Sequence, residues 1–452
     1  MGFFDQIMQL NDALNSLVWG PPMLFLIVGT GVFITCLLKF IQVSKFKTWW
    51  KETIGAIFTK KDKADEHNIS PFQALTTAMA ATVGTGNIAG VATAIFLGGP
   101  GAVFWMWVSG FFGMATKYAE VVLALKFRIQ DEKGAYHGGP MYYIEKGLKM
   151  KWLAIIFAFF GAFAAFGIGN LTQANAVAGA LQRSFNIPPI ATGIILAILA
   201  GIVIIGGIKR IGQVTEKLVP FMAVFYVVGG IIILILNIAK IPSIFSYIFA
   251  NAFSFESVGG GIMGYAIMRA VRFGIARGVF SNEAGLGSAP MAHAASTNQN
   301  PVTQGFYGIF EVFADTMIIC TITALVILSA GLYSGNVSGI VLVQNSFSQT
   351  FGALGGVFVA IAVLCFAGST LLSWSYYGMQ CLGYLTNKNK SVEMGYKIVF
   401  TLMIIVGAIG GLTWVWDVAD TLNGLMAIPN LIALVLLSKV VYEATKEHFA
   451  KK

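Results

Sequence analysis

From Pro22 to Val440 the chain alternates long apolar stretches with short polar connections. A membrane-crossing helix needs about 20 mostly apolar residues. Eleven stretches satisfy this, at 22–43, 71–98, 100–127, 152–181, 188–207, 218–238, 257–285, 301–332, 350–385, 394–414 and 416–440. Residues 3–18 follow another pattern: Phe3, Ile7, Leu10, Leu14 and Leu17 recur every three or four positions between polar residues. That period describes an amphipathic helix lying on a membrane rather than crossing it. With no basic leader and no long apolar run in this segment, no cleaved signal peptide is expected.

The placement of charge orients these spans, because cytoplasmic connections collect Lys and Arg. Residues 1–21 contain neither, whereas 39–63 contain Lys39, Lys45, Lys47, Lys51, Lys60, Lys61 and Lys63. Alternate connections at 126–151, 209–217, 388–397 and 439–452 are basic as well, while those between them hold only Arg183 and Lys240. The expected arrangement has the N-terminus outside and the C-terminus in the cytoplasm.

Composition agrees: the 452 residues are 57% hydrophobic and 11% charged, with a mean hydropathy of +0.77. Soluble domains carry about a quarter charged residues, so the expected solvent is a lipid bilayer. The net charge of +9 sits in the cytoplasmic connections, and no nucleic-acid partner is expected. Cys36, Cys320, Cys365 and Cys381 are scattered through apolar runs, and the four histidines are far apart. Neither set has metal-site spacing, and no nucleophile–base pair suggests an enzyme.

Two spans are interrupted. The first carries "AMAATVGTGNIAGVATAIF" (78–96), with Gly84, Thr85, Gly86 and Asn87 inside an apolar helix. As a dinucleotide loop this would need a preceding strand and an acid about twenty residues on, and neither is present. Close helix packing through glycine is a further reading, but it leaves Thr85 and Asn87 unexplained. Five spans later "MRAVRFGIARGVFSNEAGLG" places Phe273-Gly274, and then Gly278 and Gly285, in the span at 257–285, with Gly287 just after it. Two interrupted helices, each first in a block of five and entering from opposite sides, suggest an inverted repeat with a binding site between them. The expected organisation is an N-terminal part (1–70), a first five-helix repeat (71–238) and a second (257–443).

An interrupted helix exposes backbone where the bilayer tolerates it only if it is buried or lines a polar cavity. Carbonyls at Ala80–Val83 form a negative end suited to a hard cation. Amides at Thr85, Gly86 and Asn87 form a positive end suited to a carboxylate. A break at Phe273–Ile275 would offer carbonyls to an ammonium group. In "CFAGSTLLSWSYYG", Ser369, Thr370 and Ser373 place hydroxyls near Trp374; bonding back to the preceding turn is their other reading. Asn170 and Gln173 share a helix face and either reach a ligand or join helices. Lys117 with Glu120, and Glu311 with Asp315, are spaced as ion pairs or gates, with proton coupling at Glu311 or Asp315 the alternative.

"TVGTGNIAGVATAIFLGGPGAVFWMW" (82–107) and "GVFSNEAGLGSAP" (278–290) resemble the alanine or glycine:cation symporter family of the amino acid–polyamine–organocation superfamily, across essentially the whole chain. The resemblance implies an all-α integral membrane protein of leucine-transporter fold: 11 transmembrane helices, ten of them a 5+5 inverted repeat with two broken helices. It implies sodium-coupled uptake of alanine or glycine across the cytoplasmic membrane, with no obligate protein partner. The sodium ligands it implies are the Ala80, Val83 and Ala367 carbonyls and the Thr370 hydroxyl, with Ser373 standing in for a hydroxyl that Leu371 lacks. Asn87 matches a position that serves a second ion in some relatives. Gly84, Thr85 and Gly86, assisted by Thr82, Asn170 or Gln173, are then expected at the substrate carboxylate. Phe273, Gly274 and Ile275 are expected at its ammonium, with Phe273 and Trp374 as pocket walls. A channel, which also uses carbonyl rings, and a proton-coupled carrier are the rival readings.

Overall fold

The computed structural model describes residues 3–59, 63–253, 260–333, 335–410 and 413–450. The first residues of the span expected at 257–285, the pair 411–412, and Lys60, Lys61, Lys451 and Lys452 of the basic connections lie outside them. Among the described residues the protein is helical apart from one two-stranded hairpin, Ile129–Gln130 with Tyr136–His137.

Among the described residues eight helices are long and apolar enough to cross a membrane, one of them counted as Gln6–Leu37 through the junction at Trp19–Gly20, and nine if the bent pair Pro71–Thr82 and Gly86–Gly98 counts as one span. Every expected apolar stretch contains a helix, but two fall short of that standard. Pro189–Ile205 has 17 residues, which at 1.5 Å per residue reaches about 26 Å. Gly260–Asn282 carries Arg269, Arg272 and Arg277. The expected basic connection at 209–217 is instead the start of the helix Gly207–Leu236, which continues through Pro220. The amphipathic helix forms as Phe3–Val18 and ends at Trp19–Gly20 before a second helix begins at Pro21. Asn15 and Trp19 tie it to the backbone of Asp417 and Asp420.

Local chemistry starts the helices that matter for the site. Ser70 and Gln73 form a reciprocal capping box ahead of Pro71–Thr82, each bond 3.1 Å, with Pro71 in the first turn. Asn300 caps Pro301–Val312 without the reciprocal bond, its Oδ1 accepting from the amides of Val302 and Thr303. At this end of the molecule Ile69 pairs with the chain at 295–297, so the entry to the first interrupted helix lies beside the exit of the second.

Packing follows close approach of small residues. The Gly260–Asn282 helix lies along Gly101–Lys126, and Lys151–Phe166 along Ala353–Leu385. Large apolar side chains such as Phe25, Leu199 and Leu236 point outward, each more than half exposed, as helices facing lipid require.

Candidate functional site

The first interruption falls where the sequence places it. Pro71–Thr82 ends as Val83 leaves helical geometry (φ −78°, ψ 82°), and the Gly84 amide donates to Asn87 Oδ1 at 2.9 Å. The chain restarts in a wide π turn, Gly86–Gly90, with a 46° bend between the halves. Glycine is needed here because neighbours come so close: a Cβ on Gly84 would lie 2.5 Å from Thr370 Oγ1, and one on Gly86 2.9 Å from Ser281 Cα.

Thr370 Oγ1 donates to Ala80 O at 3.0 Å while also within reach of Phe366 O, so the structure brings Ala80 and Thr370 together. Val83 is buried at the opening of the helix, and Ala367 is buried one turn before Thr370. Ser373 differs from expectation: its hydroxyl donates to Thr77 O at 2.7 Å. The second hydroxyl at Ala80 O is Ser369, at 3.3 Å.

The second interruption does not fall at Phe273–Ile275. Those residues stay within the helix Gly260–Asn282, and Gly274 serves packing, since a Cβ there would lie 2.4 Å from Ala102 O. Phe273 is half-buried, with Arg269 and Arg272 within 6 Å of its ring, and lies beside Gly98 at the end of the first interrupted span. The helix instead opens at 283–289, where Glu283, Gly285 and Gly287 have φ of 56°, 91° and 80°.

Hydrogen bonding explains that opening. In a continued helix the amides of Ala284, Gly285 and Leu286 would bond the carbonyls of Phe280, Ser281 and Asn282. They are taken instead by Asn282 Oδ1 (2.9 Å), Glu120 Oε1 (3.1 Å) and Glu283 O (3.2 Å). Glu120 Oε1 also accepts from the Gly287 amide and from Asn430. The negative end of one helix thus lies against Gly86, at the positive start of the other.

Around the two openings the expected residues divide. Gln173 reaches the first: its Oε1 accepts from the Thr85 amide at 3.4 Å. Asn170 turns away and donates to Phe400 O at 2.6 Å, joining helices. The Thr82 hydroxyl bonds back to Met79 O, whereas that of Thr85 is buried with no protein partner. Trp374 lies at the second opening, its Nε1 donating to Glu283 Oε1 at 2.7 Å. Asn87 donates to Asp315 Oδ1 at 2.6 Å, and Ser281 donates to the same oxygen at 3.0 Å. Asp315 therefore links both openings. Glu311, despite its helical spacing from Asp315, pairs with Lys117 at 3.3 Å and His293 at 3.2 Å. The π segment Phe313–Cys320 begins between the two acids and alters their relative rotation. Glu283, Ser281 and Glu120 were not anticipated as site residues; for Glu283 the available signal was an acid inside a glycine-rich run.

A cavity of about 610 Å³ ends at Thr85. Asn175, Arg277, Phe280, Gln344 and Trp416 are among its walls, so Phe280 occupies the place expected of Phe273. Arg277, one of these walls, pairs with Asp420 at 3.1 Å.

Two interrupted helices meeting end to start, with a cavity leading to one opening, define a multi-pass membrane transporter. The sodium:alanine symporter family matches residues 4–452, and the chain belongs to that family. It is 51% identical to the sodium/alanine symporter AgcS of Methanococcus maripaludis, covering 97% of this chain and 96% of that one. It is 40% identical to the probable sodium/glutamine symporter GlnT of Bacillus subtilis, covering 97% and 90%. A solved manganese transporter of Eremococcus coleocola has a similar fold at 13% identity, with a TM-score of 0.53 and coverage of 85% and 82%.

Proposed function

We propose that the protein is a secondary active symporter that carries alanine or glycine inward with sodium across the cytoplasmic membrane by alternating access. The organisation is read as eleven spans: an N-terminal part (1–70) and two five-helix repeats (71–238 and 257–443) of opposite entry, with the N-terminus outside. The observation that carries this reading is the contact of Thr370 Oγ1 with Ala80 O beside two opposed helix ends. Oxygen-only groups suit sodium: the carbonyls of Ala80, Val83 and Ala367 with the hydroxyls of Thr370 and Ser369. The amides of Gly86 and Asn87 suit the substrate carboxylate, and the carbonyls of Phe280–Asn282 replace those of Phe273–Ile275 for its ammonium. Phe280 and Trp374 limit the side chain admitted.

Labelled alanine accumulates in proteoliposomes under an inward sodium gradient at fixed pH, and the accumulation collapses when that gradient is dissipated. Accumulation driven equally by a proton gradient would favour the second reading, coupling through Asp315, whose buried carboxylate touches both openings. Asp315→Asn would then remove the proton-driven component.

The cavity predicts accessibility. In a background without the four cysteines, Thr85→Cys reacts with an impermeant thiol reagent applied to the outer face, and sodium with alanine slows the reaction. Labelling from the cytoplasmic face alone would reverse the assigned orientation.

A further inference from the structure

The helix Pro21–Leu37 ends the apolar stretch Gln6–Leu37, which is long enough to cross a membrane. Lys39 and Phe40 then adopt left-handed backbone conformations (φ 53° and 55°), which turn the chain sharply out of that span. It continues as two short helices, Ile41–Ser44 and Phe46–Glu52. Phe40 at the turn, and Val43 and Trp50 on these helices, remain exposed, an aromatic and apolar rim of the kind that sits at headgroup level. The C-terminal helix Ser438–Ala450 closes over this turn and leaves a cavity of about 350 Å³.

Its lining has two chemistries. Leu37, Leu38 and Ile41 form an apolar side continuous with the end of the span. Lys39, Lys45 and Lys446, with Ser44 and Tyr442, supply the polar part of the lining. No carboxylate is among the lining residues. On the C-terminal helix Glu443 lies 3.9 Å from Lys439, and the ammonium of Lys45 is held over the Phe449 ring at 4.5 Å. Three lysines from two distant parts of the chain thus line one small cavity at the end of the apolar stretch.

We propose that this cavity binds the phosphate headgroup of an anionic phospholipid, with the acyl chains leaving along Leu37, Leu38 and the exposed rim. Charge complementarity selects the phosphate, and the apolar wall opening onto the span selects a lipid over a free anion. Basic pockets between spanning helices on the cytoplasmic side bind such headgroups, and the lysine-rich face is the one read above as cytoplasmic. The occupied site would join the first span to the C-terminal helix.

The test is native mass spectrometry of the purified full chain in detergent, titrated with phosphatidylglycerol or with phosphatidylcholine of identical acyl chains. Phosphatidylglycerol is retained and phosphatidylcholine is not. Each lysine removed weakens retention about fivefold, so Lys39→Ala with Lys446→Ala weakens it roughly twenty-five-fold. Lys47→Ala with Lys51→Ala, which removes the same charge outside the cavity, leaves retention unchanged. Lys446→Glu alone abolishes it and provides a second route should the double variant fold poorly. Equal retention of both lipids, or equal loss in the Lys47/Lys51 control, overturns the proposal. Competition by inorganic phosphate or glycerol 3-phosphate at the lipid's own concentration also overturns it, because the ligand would then be a free anion.

Discussion

Gly86→Leu abolishes alanine binding and sodium-driven uptake while the protein still inserts. A Cβ at this position meets Ser281 Cα at 2.9 Å, and a backbone atom in a packed helix does not swing aside as a side-chain tip does. The leucine side chain also occupies the space in front of the Gly86 and Asn87 amides, where a carboxylate has to approach. Overpacking of this sort costs about 1–3 kcal/mol, which leaves insertion intact because the apolar length of the spans is unaltered. Gly86→Ala gives an intermediate loss. Equilibrium binding of labelled alanine, with size-exclusion behaviour and melting measured in parallel, separates loss of site from loss of fold. Wild-type affinity in the leucine variant would refute the placement of the carboxylate.

Thr370→Ala weakens sodium by roughly ten- to a hundredfold, with alanine affinity at saturating sodium much less affected. The hydroxyl touches Ala80 O at 3.0 Å, and removing one oxygen from a charged site costs about 1.5–3 kcal/mol. Thr370→Ser retains sodium dependence. Gly84→Ala supplies an independent route to the same phenotype, since its Cβ would lie 2.5 Å from Thr370 Oγ1 and drive that hydroxyl off Ala80. The sodium dependence of uptake at fixed alanine reads all three variants. If it is the same in Thr370→Ala as in the parent, the ion lies elsewhere.

The two interruptions differ in how far local sequence exposes them. At 84–87 two glycines, a threonine and an asparagine interrupt an apolar run, and the helix breaks there because Asn87 supplies an acceptor for the Gly84 amide three residues away. The bond that opens this helix is local. At 273–275 a glycine in an apolar helix looked similar, yet the helix is continuous because Gly274 makes room for the Ala102 carbonyl. The true opening at 283–289 depends on Glu120, far away in the chain, accepting the amides of Gly285 and Gly287. Asn170 and Gln173 show the same limit. Their spacing is right for one face, but Asn170 lies in the π segment Gly167–Leu171 and turns to Phe400. Helical spacing likewise placed Lys117 beside Glu120, whereas the direct partner of Lys117 is Glu311 on another helix.

The sequence by itself determined that the chain is a bilayer-spanning helical protein, where its apolar stretches lie, and where the one at 71–98 is interrupted. Each of these follows from a segment's own hydropathy or from bonds between near neighbours in the chain. Only the tertiary structure decided which glycine opens a helix and which packs one, which hydroxyl faces Ala80, and which acid holds which base. Those outcomes depend on whether a backbone or side-chain group finds its partner on another helix, and interhelical distance leaves no mark in the spacing of residues along one.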